Sequence, residues 1–185
     1  MDMKKLLMIS VAAGLCAMAC LCVSCKKNNA QQPKEEEQKD ETPAAVEFTF
    51  TYYATQDMLD FADIQVTYND GTADKTENGA SLEWTKTVKA TLPVSFKFDR
   101  KVTQKEGVDL STEKTYSYTK NYSANFRILN AKGEKIRNKA YTSSGSNPAY
   151  TGDKIATLLG KNSMDSAHSF DFDKDGKCPQ LDPAE

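Results

Sequence analysis

Toward the C-terminal end, Asp171, Asp173 and Asp175 alternate with Phe172 and Lys174 and run into Gly176. Carboxylates at every second position, followed by a glycine that permits a tight reversal, are how a loop wraps oxygen ligands around calcium. Asp182 stands at the twelfth position counted from Asp171, where an EF-hand loop supplies its bidentate acid. Against this, Pro179 lies inside the span, and Phe170 and Phe172 suit a closing strand with the aspartates on its solvent side. A calcium loop with ligands Asp171, Asp173, Asp175 and Asp182 and a solvated acidic strand end both stay open on these residues.

The other reactive side chains are sparse. His168 is the single histidine and shares strand parity with Phe170 and Phe172, which points to the core face or a strand edge. Without a cysteine or second histidine beside it, it makes neither a zinc site nor a Cys–His couple. No Gly-x-Ser-x-Gly elbow and no glycine-rich phosphate loop occur, so neither a serine triad nor nucleotide binding is expected. Asp57 lies close in sequence to Asp60 and Asp63, a pairing that loops of ordinary domains also carry and that does not define a glycosidase. Tyr53, Tyr141 and Tyr150 fall off the core pattern or in the Gly/Ser/Pro segment 142–152, and exposed aromatics there could stack on sugar rings or pack against a protein partner.

Four of the five cysteines sit within residues 1–25. Lys4 and Lys5 precede an uncharged apolar run from Leu6 to Val23, and small residues lead up to Cys25, the pattern of a secretory signal. Its terminal cysteine resembles a lipobox, in which that cysteine is diacylated, with palmitate-type chains, and becomes the first residue of the mature protein. Cys22 stands where a lipobox usually has Leu, and Cys20, after Ala17-Met18-Ala19, is a second candidate. An uncleaved anchor is the alternative, because the 18 apolar residues could just span a bilayer. Either way the expectation is a membrane-attached domain, held stably when several acyl chains are present. With Cys25 acylated, Cys178 is left without an internal partner, which excludes an internal disulfide and a cysteine-ligated zinc. Cys178 is then a free thiol or an intermolecular one.

The remaining organisation follows from composition. A formal charge of −2, from 24 basic and 26 acidic residues, lacks the basic face that displaces counterions from nucleic acid. Residues 26–45 contain no aromatic or branched apolar residue that could nucleate a core, and read as a disordered charged tether. From Val46 the dominant period is two. Val46, Phe48, Phe50 and Tyr52 alternate with polar positions; so do Ala62, Ile64, Val66 and Tyr68, and Asn69-Asp70-Gly71 then supplies a turn. Leu82, Trp84, Val88 and Ala90 continue the pattern with Lys86 as an exception, and Val94, Phe96 and Phe98 follow Pro93, which marks an edge or bend. The run 114–129 is too long for one strand of a compact domain and is predicted to break near Lys120-Asn121. Asn130 to Gly133 reads as a hairpin turn returning through Lys135 to Tyr141, residues 153–159 as one short helix stopped by Gly160, and Ser169 to Phe172 as the closing strand. About eight strands predict an all-β antiparallel sandwich of immunoglobulin-like topology over residues 46–175, with 176–185 as a C-terminal tail.

A lysine-led, cysteine-ended leader, a charged stalk and one β-sandwich together resemble the small cell-envelope lipoproteins of the Bacteroidetes. The resemblance implies an outer-membrane lipoprotein, on the periplasmic face or at the cell surface, whose domain binds or scaffolds protein or glycan without catalysis. In that group an acidic run just after the lipidated cysteine goes with surface export; here Lys26-Lys27-Asn28-Asn29 intervene before Glu35-Glu36-Glu37. Asp165-Ser166-Ala167 likewise resembles the short sequence that such bacteria O-glycosylate, which implies Ser166 as an acceptor. A calcium-stabilised adhesion module and a hydrolase whose site the sequence hides are the alternative expectations.

Overall fold

The structure is a computed structural model and describes residues 40–182. The leader, Cys20, Cys25 and the tether up to residue 39 lie outside the described residues. In chain order the elements are β1 (Ala45–Tyr53), α1 (Gln56–Phe61), β2 (Ala62–Asn69), β3 (Asp74–Asn78), β4 (Glu83–Thr91), β5 (Val94–Gln104), β6 (Thr115–Ser117), β7 (Tyr122–Leu129), β8 (Lys135–Ser143), β9 (Ala149–Thr151), α2 (Gly152–Gly160) and β10 (Ser166–Phe172). They form an all-β antiparallel sandwich. One sheet runs β4-β1-β7-β8, the facing sheet β10-β5-β2-β3, and β6-β9 make a two-stranded annex. β1 pairs with β4 in one layer and β2 with β5 in the other, the pairing pattern of an immunoglobulin-like sandwich, although β4 is an edge strand here. Here β7 and β8 are inserted between β5 and β10 in sequence and extend the first sheet beyond β1.

Alternation drives this architecture. Val46, Phe48, Phe50 and Tyr52 of β1 face inward against Val66 and Tyr68 of β2 and Phe96 and Phe98 of β5, all buried. Phe48 is the hub: its ring centroid lies 5.4 Å from that of Phe96 and 4.9 Å from that of Phe170. Such pairs add about 0.5–1.5 kcal/mol each beyond the area they bury. Lys86, the polar residue in the inward register of β4, covers the edge of this core, with its ammonium 4.8 Å over the Tyr68 ring and paired to Glu77.

A second cluster closes one end. Met58 and Phe61 of α1, Ile155 and Leu159 of α2, and Met164 pack on Ile64 and Val102. Thr55 caps α1 by accepting from the Met58 N–H at 3.1 Å while its hydroxyl donates to the Ser117 carbonyl at 2.7 Å. Gly152 opens α2 where a Cβ would stand 2.4 Å from the Leu110 carbonyl oxygen, so only glycine fits. The other end receives the chain: the Asn130 amide donates to the Asp40 carbonyl at 2.8 Å, and Ala44 N–H to the Leu129 carbonyl at 2.9 Å.

Several expectations need correction. The described residues form ten strands and two helices; β3 is wholly polar and the six-residue α1 buries just Met58 and Phe61, too little periodicity to read. Leu82 precedes β4 and is 51 % exposed instead of continuing its inward face. Helix α2 stops through Asn162 at φ 53°, not through Gly160. Residues 176–182 of the expected C-terminal tail pack on the sandwich, with Cys178 and Leu181 buried in the main core.

Candidate functional site

Strand β5 carries one inward residue that the sequence reading passed over. Arg100 continues the parity of Phe96 and Phe98 through to Val102 and is 2 % exposed. Its guanidinium lies 4.9 Å over the Tyr52 ring. One terminal nitrogen donates to the Tyr53 carbonyl at 2.9 Å; the other donates to the Thr119 carbonyl at 2.9 Å and the Ser166 hydroxyl at 3.2 Å. Its Nε has no partner, and no carboxylate pairs with it among the described residues. Burial works against this charge, with Tyr52 and Asp165 opposing that effect. Extending the period of two past Phe98 to Val102 would have revealed it.

His168 sits next to this charge, on the inward face of β10 as its parity predicted. Its ring centroid is 4.0 Å from that of Tyr122 and 5.7 Å from that of Tyr52. Its Nε2 is buried without a partner. Burial, then the charges of Arg100 and Lys120, push the imidazole down to about 4, so the ring is neutral near neutral pH.

The three candidate tyrosines stand on three different elements, Tyr53 on β1, Tyr141 on β8 and Tyr150 on β9. Tyr53 points to the outer face of its sheet, half-buried, with its hydroxyl 3.3 Å from that of Ser123. Tyr141 flanks Tyr122 at 5.7 Å and Tyr150 flanks Tyr118 at 6.1 Å, and these two are exposed. With Leu82 they are the exposed large hydrophobic residues among the described residues, and all three lie in the half of the sandwich away from the entry of the chain. Leu82 accepts from the Ala54 N–H just past β1, Tyr141 is paired with Ala124 opposite Phe50, and Tyr150 is on the annex beside α1.

The calcium constellation does not form either. Asp171 accepts from the Ser95 hydroxyl at 2.6 Å and the Gln180 amide at 2.8 Å. Asp173 caps its own turn through the N–H groups of Asp175 and Lys177, at 2.9 and 2.8 Å. Asp175 pairs with Lys174, and Asp182 with Lys139 across the edge of β8. Among the described residues no three acid, histidine or cysteine side chains gather as a metal would require. The carboxylates are held apart by hydrogen bonds that fasten the C-terminal segment to the sandwich.

Ser166, the expected glycan acceptor, is half-buried, and its hydroxyl accepts from Arg100 at 3.2 Å. Cys178 is fully buried, with its thiol directed at the Gln180 side-chain oxygen at 3.2 Å, so the folded chain keeps it as a free thiol and not an intermolecular bridge. Two shallow depressions, of about 470 and 500 Å³, lie on the polar outer face of the second sheet. In the first, Glu77 is already paired to Lys86 and hydrogen-bonded to Tyr68. No protein-family model matches the chain, and no curated protein matches it in sequence.

Proposed function

We propose that this chain is an envelope lipoprotein, acylated at Cys25 and carried on the charged segment that precedes Asp40, whose sandwich is a non-enzymatic binding module for protein or glycan. Its anchor is an outer membrane, and its working end is the end of the sandwich opposite Asp40. The observation that carries this reading is the placement of Leu82, Tyr141 and Tyr150. Exposed apolar side chains collect in the half of the domain opposite Asp40, where the chain enters. A tethered binding module presents its contact surface in that direction, and exposed aromatics are the residues that anchor such contacts.

The lipid half of the proposal is tested by metabolic labelling of cells with an alkyne-bearing palmitate. Label on the wild-type protein and on Cys20→Ala, and its loss in Cys25→Ala, supports acylation at Cys25. Label that survives Cys25→Ala places the lipid elsewhere and overturns that assignment.

A further inference from the structure

Strand β1 runs away from the chain entry, α1 turns the chain, and β2 starts back. Asp63 and Gln65, the first outward residues of β2, therefore stand in the half of the domain opposite Asp40. Asp63 is opposite Thr103 of β5, and Gln65 is flanked by Lys101 of β5 and Asn78 of β3. These five side chains line the depression of about 470 Å³ on the outer face of the second sheet. That volume is within the range of small-molecule sites, about 300–1,000 Å³, but the lining is polar where such sites are mostly apolar.

Much of this polar lining is unspent. Thr76 and Glu77, which also border the depression, are held by Thr67 and by Lys86 and Tyr68. Asp63, Gln65, Lys101 and Thr103 are exposed, and among the described residues no protein partner holds their side chains. Asp63 and Lys101 are diagonal neighbours across the β2/β5 ladder, yet they form no ion pair. Asn78 accepts the Ala80 N–H on its side-chain oxygen at 2.9 Å, which leaves its NH2 group to donate.

Charge selects the ligand. Lys101 offsets Asp63, and Lys86 offsets Glu77, so the site has no net charge to draw an ion. An anion would meet Asp63 and Glu77, and among the described residues no three acids gather to hold a metal. An apolar ligand would displace water and leave these polar groups unpaired, which is costly. A ring with neighbouring hydroxyls satisfies them: one hydroxyl donates to the carboxylate while the next accepts from the ammonium or an amide.

We propose that this depression binds a neutral sugar residue of a glycan, with Asp63 accepting from one hydroxyl and Lys101 and the Asn78 amide donating to the next. The inference rests on the binding-module reading and names the ligand class of one site at its working end.

The full-length protein, purified in detergent, is applied to an array of neutral, uronic-acid-bearing and sulfated oligosaccharides, then titrated calorimetrically with the neutral oligosaccharide it retains best. A neutral oligosaccharide is expected to be retained above every acidic one. Asp63→Asn and Lys101→Met should each weaken its binding about 10-fold, because each removes a charge-assisted hydrogen bond. Lys97→Met, an outward residue of β5 nearer the chain entry, should bind as wild type, and all three exposed variants should keep the wild-type Tm. Retention of acidic glycans above every neutral one, full binding by Asp63→Asn, an equal loss in Lys97→Met, or no retention of any glycan overturns the site. Cross-linking from the far end of the domain, described below, reads the binding-module proposal without any sugar, so the two can fail separately.

Discussion

Lowering the pH should loosen this fold before its carboxylates titrate, because of His168. In the unfolded chain the imidazole takes a proton near its ordinary value of 6.5, whereas in the folded domain burial, Arg100 and Lys120 hold it down to about 4. Between those values the unfolded state binds a proton that the folded ring refuses. Stability is therefore undiminished above about pH 6.5 and falls as the pH drops toward 4. At pH ~5 the full shift would be worth about 2 kcal/mol; the ring is half-buried, and solvent screening reduces this to roughly 1 kcal/mol. For a domain of this size that is a drop of about 3–4 °C in Tm between pH ~7 and ~5. Thermal unfolding followed by circular dichroism at a series of pH values measures it directly. His168→Phe, which keeps an aromatic ring against Tyr122 and removes the proton, should flatten the curve over that window. A wild-type Tm that does not change there, or a His168→Phe curve parallel to it, would refute the reasoning.

Three further outcomes follow from the packing. Cys178, whose thiol burial pushes up to about 11, should resist iodoacetamide in the folded protein and react fully in denaturant, read by the mass of the peptide containing it. Gly176→Ala should cost about 2 kcal/mol, because Gly176 has φ +67° and a Cβ there would stand 2.9 Å from Ile128, whereas Gly133→Ala, at φ +82° in open space, should cost only about 1 kcal/mol; urea unfolding of both variants checks the difference. Millimolar calcium should produce no heat on titration and no rise in Tm, and saturable binding lost on Asp173→Asn would restore the calcium loop that the hydrogen bonds of Asp171, Asp173 and Asp182 argue against.

Much of the sandwich is legible in the sequence because its inner strands alternate cleanly. Val46 to Tyr52 and Ala62 to Tyr68 declare which face is buried, and the break in the run 114–129 follows from strand length alone. What alternation does not carry is what polar residues do. Strand β3 forms because Asp74 to Asn78 pair with an already ordered β2, not because of any apolar pattern of their own. The acids from Asp171 to Asp182 have the spacing of a ligand loop, but spacing cannot show that Ser95 and Lys139, distant in sequence, and Gln180, within the loop, have already claimed Asp171 and Asp182. Arg100 was hidden for the opposite reason: an arginine in inward register reads as the end of a strand, when here backbone carbonyls and the Tyr52 ring hold its charge inside.

The central claim is that the domain meets its partner with the end furthest from its point of attachment. Photo-activated cross-linking on intact cells tests this most directly, with the cross-linking residue placed in turn at Leu82 and Tyr150 and, at the chain-entry end, at Lys132. Discrete, saturable adducts from positions 82 and 150 and none from 132 are the predicted result. Adducts confined to position 132, or equal at all three positions, would contradict it.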